Sequence, residues 1–154
     1  MKELPHTHSC FVCGESNAAG LRLRFETNGD LVLTRFIPGP AHVGFKQTVH
    51  GGLISAVLDE IMVWACAVQT KQFAYCAELK VRFLRPLRPN QTAIGSGKMT
   101  ADRRGKIFEA QSELQDQAGA ALATATGKYM PVKKEDLRGL AEEFVGDASW
   151  LFGK

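Results

Sequence analysis

Two adjacent carboxylates, Asp59 and Glu60, interrupt an otherwise apolar run, and a His50–Gly51–Gly52 turn opens that run. A carboxylate carried out of water costs several kcal/mol unless it is paired, hydrogen-bonded or protonated. The bland reading is that one acid reaches solvent or meets a neighbouring strand. The glycines favour a sharper one. Gly51 and Gly52 leave helix-start N–H groups unobstructed, and such groups receive negative charge developing on an oxygen. Oxyanion donors and a desolvated base on one element are the parts of an acyl-transfer centre. His50, Gly51 and Asp59 form the candidate catalytic set, with Gly52 beside them to bind substrate. Glu60 faces about 100° away from Asp59 on a helix and reads as structural.

A second group lies near the start of the chain. Cys10 and Cys13 form a C-x-x-C, with His6 and His8 just upstream. Four potential zinc ligands in so short a stretch crowd one tetrahedral site, and no second cysteine knuckle follows. The expectation is a cysteine turn packed on the core, with no metal and no cofactor. Cys66, on the apolar run without a histidine at fixed spacing, reads as an inert core thiol.

These groups need a scaffold. From Leu53 to Val68 no proline or glycine occurs, and apolar residues face all directions, which predicts a buried helix. That run is short for a membrane span. A chain of 154 residues is most simply one domain, and 45% hydrophobic with 23% charged residues is ordinary for a globular protein. A net charge of +3 favours an anionic ligand without nucleic-acid signatures. The first residues lack an apolar run behind their charge, so no export signal is read, and four cysteines are expected reduced in a soluble cytoplasmic protein.

Three segments are expected: an arm over 1–20, a domain over 21–131 and a tail over 132–154. Alternation places strands at Leu21–Phe25 and Leu31–Ile37, joined by a turn at Asn28–Gly29–Asp30. Four more follow the helix: Phe73–Leu84, Gln91–Ala101, Lys106–Gln115 and Ala120–Met130. The last is rich in small residues that let a helix approach closely. The layout is α+β, one long helix wrapped by a six-stranded, mostly antiparallel sheet. Leu137, Leu140 and Phe144 recur at helical spacing, so a short amphipathic helix is expected in the tail. Trp150, Leu151 and Phe152 are too apolar for a free end.

The segments HGGLISAVLDE, CFVCGESNAAGL and YCAELKVRFLRPLR, in this arrangement, resemble the hotdog-fold acyl-CoA thioesterases of the phenylacetate-pathway (PaaI-like) type. The resemblance runs over roughly residues 10 to 131. It implies the hotdog fold, dimers with a continuous sheet and shared active sites, often paired into tetramers, and metal-free hydrolysis of acyl-coenzyme A. Asp59 takes the place of the nucleophile or general base, and Gly51 that of the oxyanion donor. Many relatives carry Asn or Gln six positions before the histidine; here that residue is Gly44, with His42 or Gln47 as substitutes. The Ser/Thr expected near the start of the third strand is Cys76, and the arm has Ala18–Ala19 where Asn-Pro-x-Gly is usual. Arg85 is a candidate for the coenzyme phosphates.

Two other readings stay open. One is a non-catalytic acyl-CoA sensor, which Gly44 favours and Asp59 opposes. The other is a hydratase or dehydratase of the same fold, which usually pairs a catalytic histidine with an acid in a different motif.

Overall fold

The computed structural model describes residues 1–152. Its centre is helix α1, Gly51–Thr70, longer at both ends than the apolar run alone. His50 caps the start, its Nδ1 accepting the Gly52 N–H at 2.8 Å. Lys71 ends the helix in the left-handed region (φ 59°), its N–H returning to the Ala67 carbonyl at 2.8 Å. By length and composition α1 could cross a membrane, yet it forms the protein's core. Val57, Leu58, Ile61, Met62, Trp64, Ala65, Cys66 and Ala67 are all buried.

One antiparallel sheet wraps this helix. In chain order its strands are β1 (Lys2–Glu3), β2 (Phe25–Thr27), β3 (Val32–Phe36), β4 (Ala74–Phe83), β5 (Ala93–Arg103), β6 (Ile107–Asp116) and β7 (Ala121–Pro131). They lie in the order β1-β2-β3-β5-β6-β7-β4. The six expected strands are present, and the chain start adds the seventh. The first of the six is displaced along the chain: expected over Leu21–Phe25, it forms over Phe25–Thr27 and shares only Phe25 with that stretch. Arg22 sits at φ 53°, which breaks extension, and Leu21 and Leu23 pair with Phe11 and Val12 of the arm instead. Leu23 and Phe25 are nevertheless buried, as the alternation required.

The two margins of the sheet differ. One ends in the two-residue β1, whereas the other is the ten-residue β4. Strand β4 buries only Ala74 and leaves Tyr75 and Phe83 each 54% exposed.

The tail corrects one expectation. Among the described residues of the tail no amphipathic α-helix forms; the chain makes 3-10 turns at Leu137–Gly139, Ala141–Glu143 and Ser149–Leu151. Between them Phe144–Val145 pairs antiparallel with His6–Thr7 of the arm. Phe144 packs edge-on against Trp64, Phe73 and Phe152, and Leu151 enters the core. That aromatic cluster uses the apolar tail residues within one chain, which a single helix face could not do for residues 144 to 152.

Candidate active site

At the start of α1, the His50 ring is committed to the cap, so Gly52 N–H already has an acceptor. Leu53 and Ile54 N–H groups both turn back to the His50 carbonyl. Gly51 N–H meets no acceptor among the described residues. A short hairpin, Val43–Phe45 paired with Thr48–Val49, lies over this end, and its tip residues Lys46 and Gln47 have positive φ. Gly44, Phe45, Thr48, Val49, His50 and Gly51 line a groove of about 480 Å³. A side chain at residue 44 would press on His50, from 3.1 Å, so the hairpin seats where the glycine allows.

Further along α1, Asp59 meets the last strand. The buried Tyr129 hydroxyl donates to Asp59 Oδ1 at 2.7 Å. Tyr129 comes from β7, directly opposite Cys76 of β4, at a bulge between Lys128 and Tyr129. The ring has room because residue 127 is glycine: a Cβ there would lie 2.7 Å from the ring. Burial, then the charge of Asp59, pushes the Tyr129 pKa upward, so the phenol stays a donor. The same causes raise the Cys76 thiol to about 11, which places Cys76 beside Asp59 as a neutral group.

Glu60 looks the other way. The Cys10 thiol lies 3.8 Å from each of its carboxylate oxygens. Burial first, then the charge of Cys10, raises the Glu60 pKa to about 8. Cys10 is held down at about 5, chiefly by the Cys13 thiol donating to it, while Cys13 is raised. Burial pushes the Cys66 thiol up to about 12, consistent with a core residue.

The sequence candidates therefore divide. His50, Gly51 and Gly44 share the groove, and Asp59 and Cys76 lie together beside Tyr129. His42 supports the groove from behind, its carbonyl accepting His50 N–H and its Nδ1 accepting Gly39 N–H. Gln47 stands exposed at the hairpin tip. Arg85 Nη1 donates to the Ala121 carbonyl at 2.7 Å. Tyr129 was missed. Its signal was the one aromatic of the strand, two residues after Gly127 and following a run of mostly small residues.

Comparison with known proteins matches this architecture. A family profile described as the Thioesterase superfamily matches residues 46–108, from the hairpin tip to β6. The solved structure of a thioesterase superfamily protein superposes with TM-score 0.74 at 20% identity. The match covers 80% of this chain and 63% of that one, so this chain spans less than two thirds of that protein's length. The chain adopts the hotdog fold of these thioesterase structures. Among other solved structures of this fold, the Escherichia coli PaaI protein from the phenylacetic acid degradation operon gives TM-score 0.67 at 18% identity, covering 73% of this chain and 81% of that one. A Streptococcus mutans protein bound to acetyl-CoA gives 0.64 at 16% identity, covering 71% and 88%. No curated protein matches the sequence.

Proposed function

We propose that this hotdog-fold chain is a thioesterase that hydrolyses an acyl-coenzyme A thioester to the free acid and coenzyme A. The observation that carries the reading is a carboxylate held by a buried phenol, Tyr129 to Asp59, on a helix whose first N–H, at Gly51, has no acceptor among the described residues. A thioester is activated towards acyl transfer, so polarising its carbonyl and aiming a base or nucleophile at its carbon can suffice. An oxyanion donor typically contributes about 3 kcal/mol, and a positioned base about 10²–10⁴-fold. In this reading Asp59 attacks the carbonyl or draws a proton from water, Gly51 N–H receives the oxyanion, and Tyr129 fixes the carboxylate. The acetyl-CoA bound by the Streptococcus mutans relative supports coenzyme A as the leaving group. Arg85 spends one N–H on Ala121 and keeps others for a phosphate.

One helix cannot bring both groups to one thioester. Gly51 and Asp59 are eight residues apart on α1, roughly 12 Å along the axis. The reacting carbon must lie about 3 Å from the base while its oxygen touches the donor. The reading therefore requires two copies, with antiparallel central helices placing Gly51 of one opposite Asp59 of the other. The long β4 margin, which exposes Tyr75, Leu79 and Phe83 and has no partner on its outer side among the described residues, supports this, since a long exposed edge strand is a template for a second chain. The Phe83 ring of that margin sits beside Gly51.

The test is a panel of acyl-CoA thioesters with a thiol-reactive chromogen. Catalytic release of free coenzyme A is the expected result. Tight binding without release would replace the reading with that of an acyl-CoA sensor, and loss or gain of acyl unsaturation without thiol release would point to a hydratase.

A further inference from the structure

The arm and the helix meet in a cluster that the proposed chemistry does not use. Cys10 Sγ, Cys13 Sγ and a Glu60 carboxylate oxygen all lie within 4.8 Å of one another. We infer that Cys10, Cys13 and Glu60 bind one thiophilic divalent cation of the zinc type, which clamps the arm to α1 one residue beyond Asp59.

Three observations support the site. The first is distance. Cys10 Sγ is 3.8 Å from both Glu60 oxygens, long for a hydrogen bond to a carboxylate. In a tetrahedral zinc centre with metal–sulfur near 2.3 Å and metal–oxygen near 2.1 Å, sulfur and oxygen ligands stand about 3.6 Å apart. The second is the turn. Cys10-x-x-Cys13-Gly14 is folded as a knuckle: Gly14 N–H donates to the Cys10 carbonyl at 2.8 Å, and Val12 N–H donates to Cys10 Sγ at 3.3 Å. A Cβ on residue 14 would fall 2.3 Å from the Cys10 carbonyl oxygen, so the turn needs glycine there. Thr7 Oγ1 accepts Cys10 N–H at 3.1 Å and lies 3.5 Å from Cys13 Sγ, supporting both ligands from behind.

The third observation is what the cluster lacks. Glu60 makes no ion pair among the described residues. The buried Trp64 Nε1, one turn on, has no hydrogen-bond partner among the described residues. His6 and His8, the sequence's other ligand candidates, are both turned to Glu15 at 3.0 and 3.2 Å. The sequence argued against a metal by counting ligands in the arm alone. The third ligand comes from α1, fifty residues beyond Cys10. Two thiolates favour zinc-like ions over magnesium or calcium, which take oxygen donors. Three protein ligands leave the fourth position to water.

Untagged protein of residues 1–154, stripped of metal and kept reduced, is titrated with Co²⁺ and then with Zn²⁺. The expected result is tetrahedral thiolate-to-cobalt absorption saturating at about one ion per chain and abolished by Zn²⁺. Glu60→Gln and Cys13→Ser each weaken binding by at least the ~10–100-fold that loss of even an outer partner costs. His6→Ala leaves it unchanged. X-ray absorption at the zinc edge of the unmutated protein counts two sulfurs at about 2.3 Å, a readout independent of how the variants fold. No tetrahedral cobalt signal from the reduced protein, no sulfur in the zinc shell, or binding lost in His6→Ala and kept in Glu60→Gln would each overturn the site.

Discussion

Asp59 and Glu60 are neighbours in the chain and share one helix, yet they live in different chemical surroundings. Asp59 faces β7 and β4, where a phenol donates to it and a neutral thiol stands alongside. Glu60 faces the arm, where two sulfurs approach and no cationic side chain pairs with it among the described residues. A single residue step, about 100° of rotation, separates them. The helix supplies the same carboxylate to both faces, and the neighbouring elements decide what each can do. A short donor fixes the Asp59 carboxylate in place; a pair of soft ligands faces that of Glu60.

The contrast can be broken most directly at Asp59. Asp59→Asn is expected to lower turnover at least about a hundredfold while leaving the fold intact, whereas Glu60→Gln reduces metal binding and retains the larger share of turnover. Steady-state rates on both variants, beside circular dichroism, would show whether the two faces have been assigned the wrong way round. Next in size is a rescue. Mixing inactive Gly51→Val and Asp59→Asn subunits should restore up to about half of the unmutated rate per mixed dimer, because one intact site is rebuilt. Exchanged dimers that form and remain dead would remove the two-copy site.

Tyr129→Phe tests the donor alone. A hydrogen bond to a charged group is worth about 1.5–3 kcal/mol, so a fall in turnover of about tenfold or more is expected, with little change in substrate affinity. Unchanged turnover would demote Tyr129 to a packing residue. The smallest effect belongs to Gly127→Ala. The new methyl meets the Tyr129 ring, and overpacking costs about 1–3 kcal/mol. Thermal denaturation should show a drop of roughly 2–4 °C per kcal/mol; an unaltered midpoint would mean that the ring yields freely.

Much of the fold was legible because it rests on local periodicity. The glycine-free apolar run marked α1, and alternation marked the four strands after it almost to their ends. The Asn28–Gly29–Asp30 turn was equally plain, with Gly29 at φ 99°. What escaped notice depends on contacts between distant segments. Nothing in Lys2–Glu3 announces a strand until β2 offers it a partner. Phe144 looks like a helix-face residue until Trp64 and Phe73 are seen to receive it. The site divides in the same way. Asp59 and Gly51 stood out through their own helix, but Tyr129 reaches Asp59 across seventy residues and Glu60 finds its thiols across fifty. A linear reading sees ligands and bases; it does not see which of them a fold will introduce to each other.

The unequal margins of the sheet bear on how large an assembly can become. A stub of two residues closes one side, and ten residues of bare backbone stand open on the other. Two-fold pairing across the open side consumes it in both copies at once and presents no fresh long edge to a third. In the proposed two-copy arrangement, growth by strand addition would thus limit itself: the sheet doubles, and only a two-residue stub is left on either outer side.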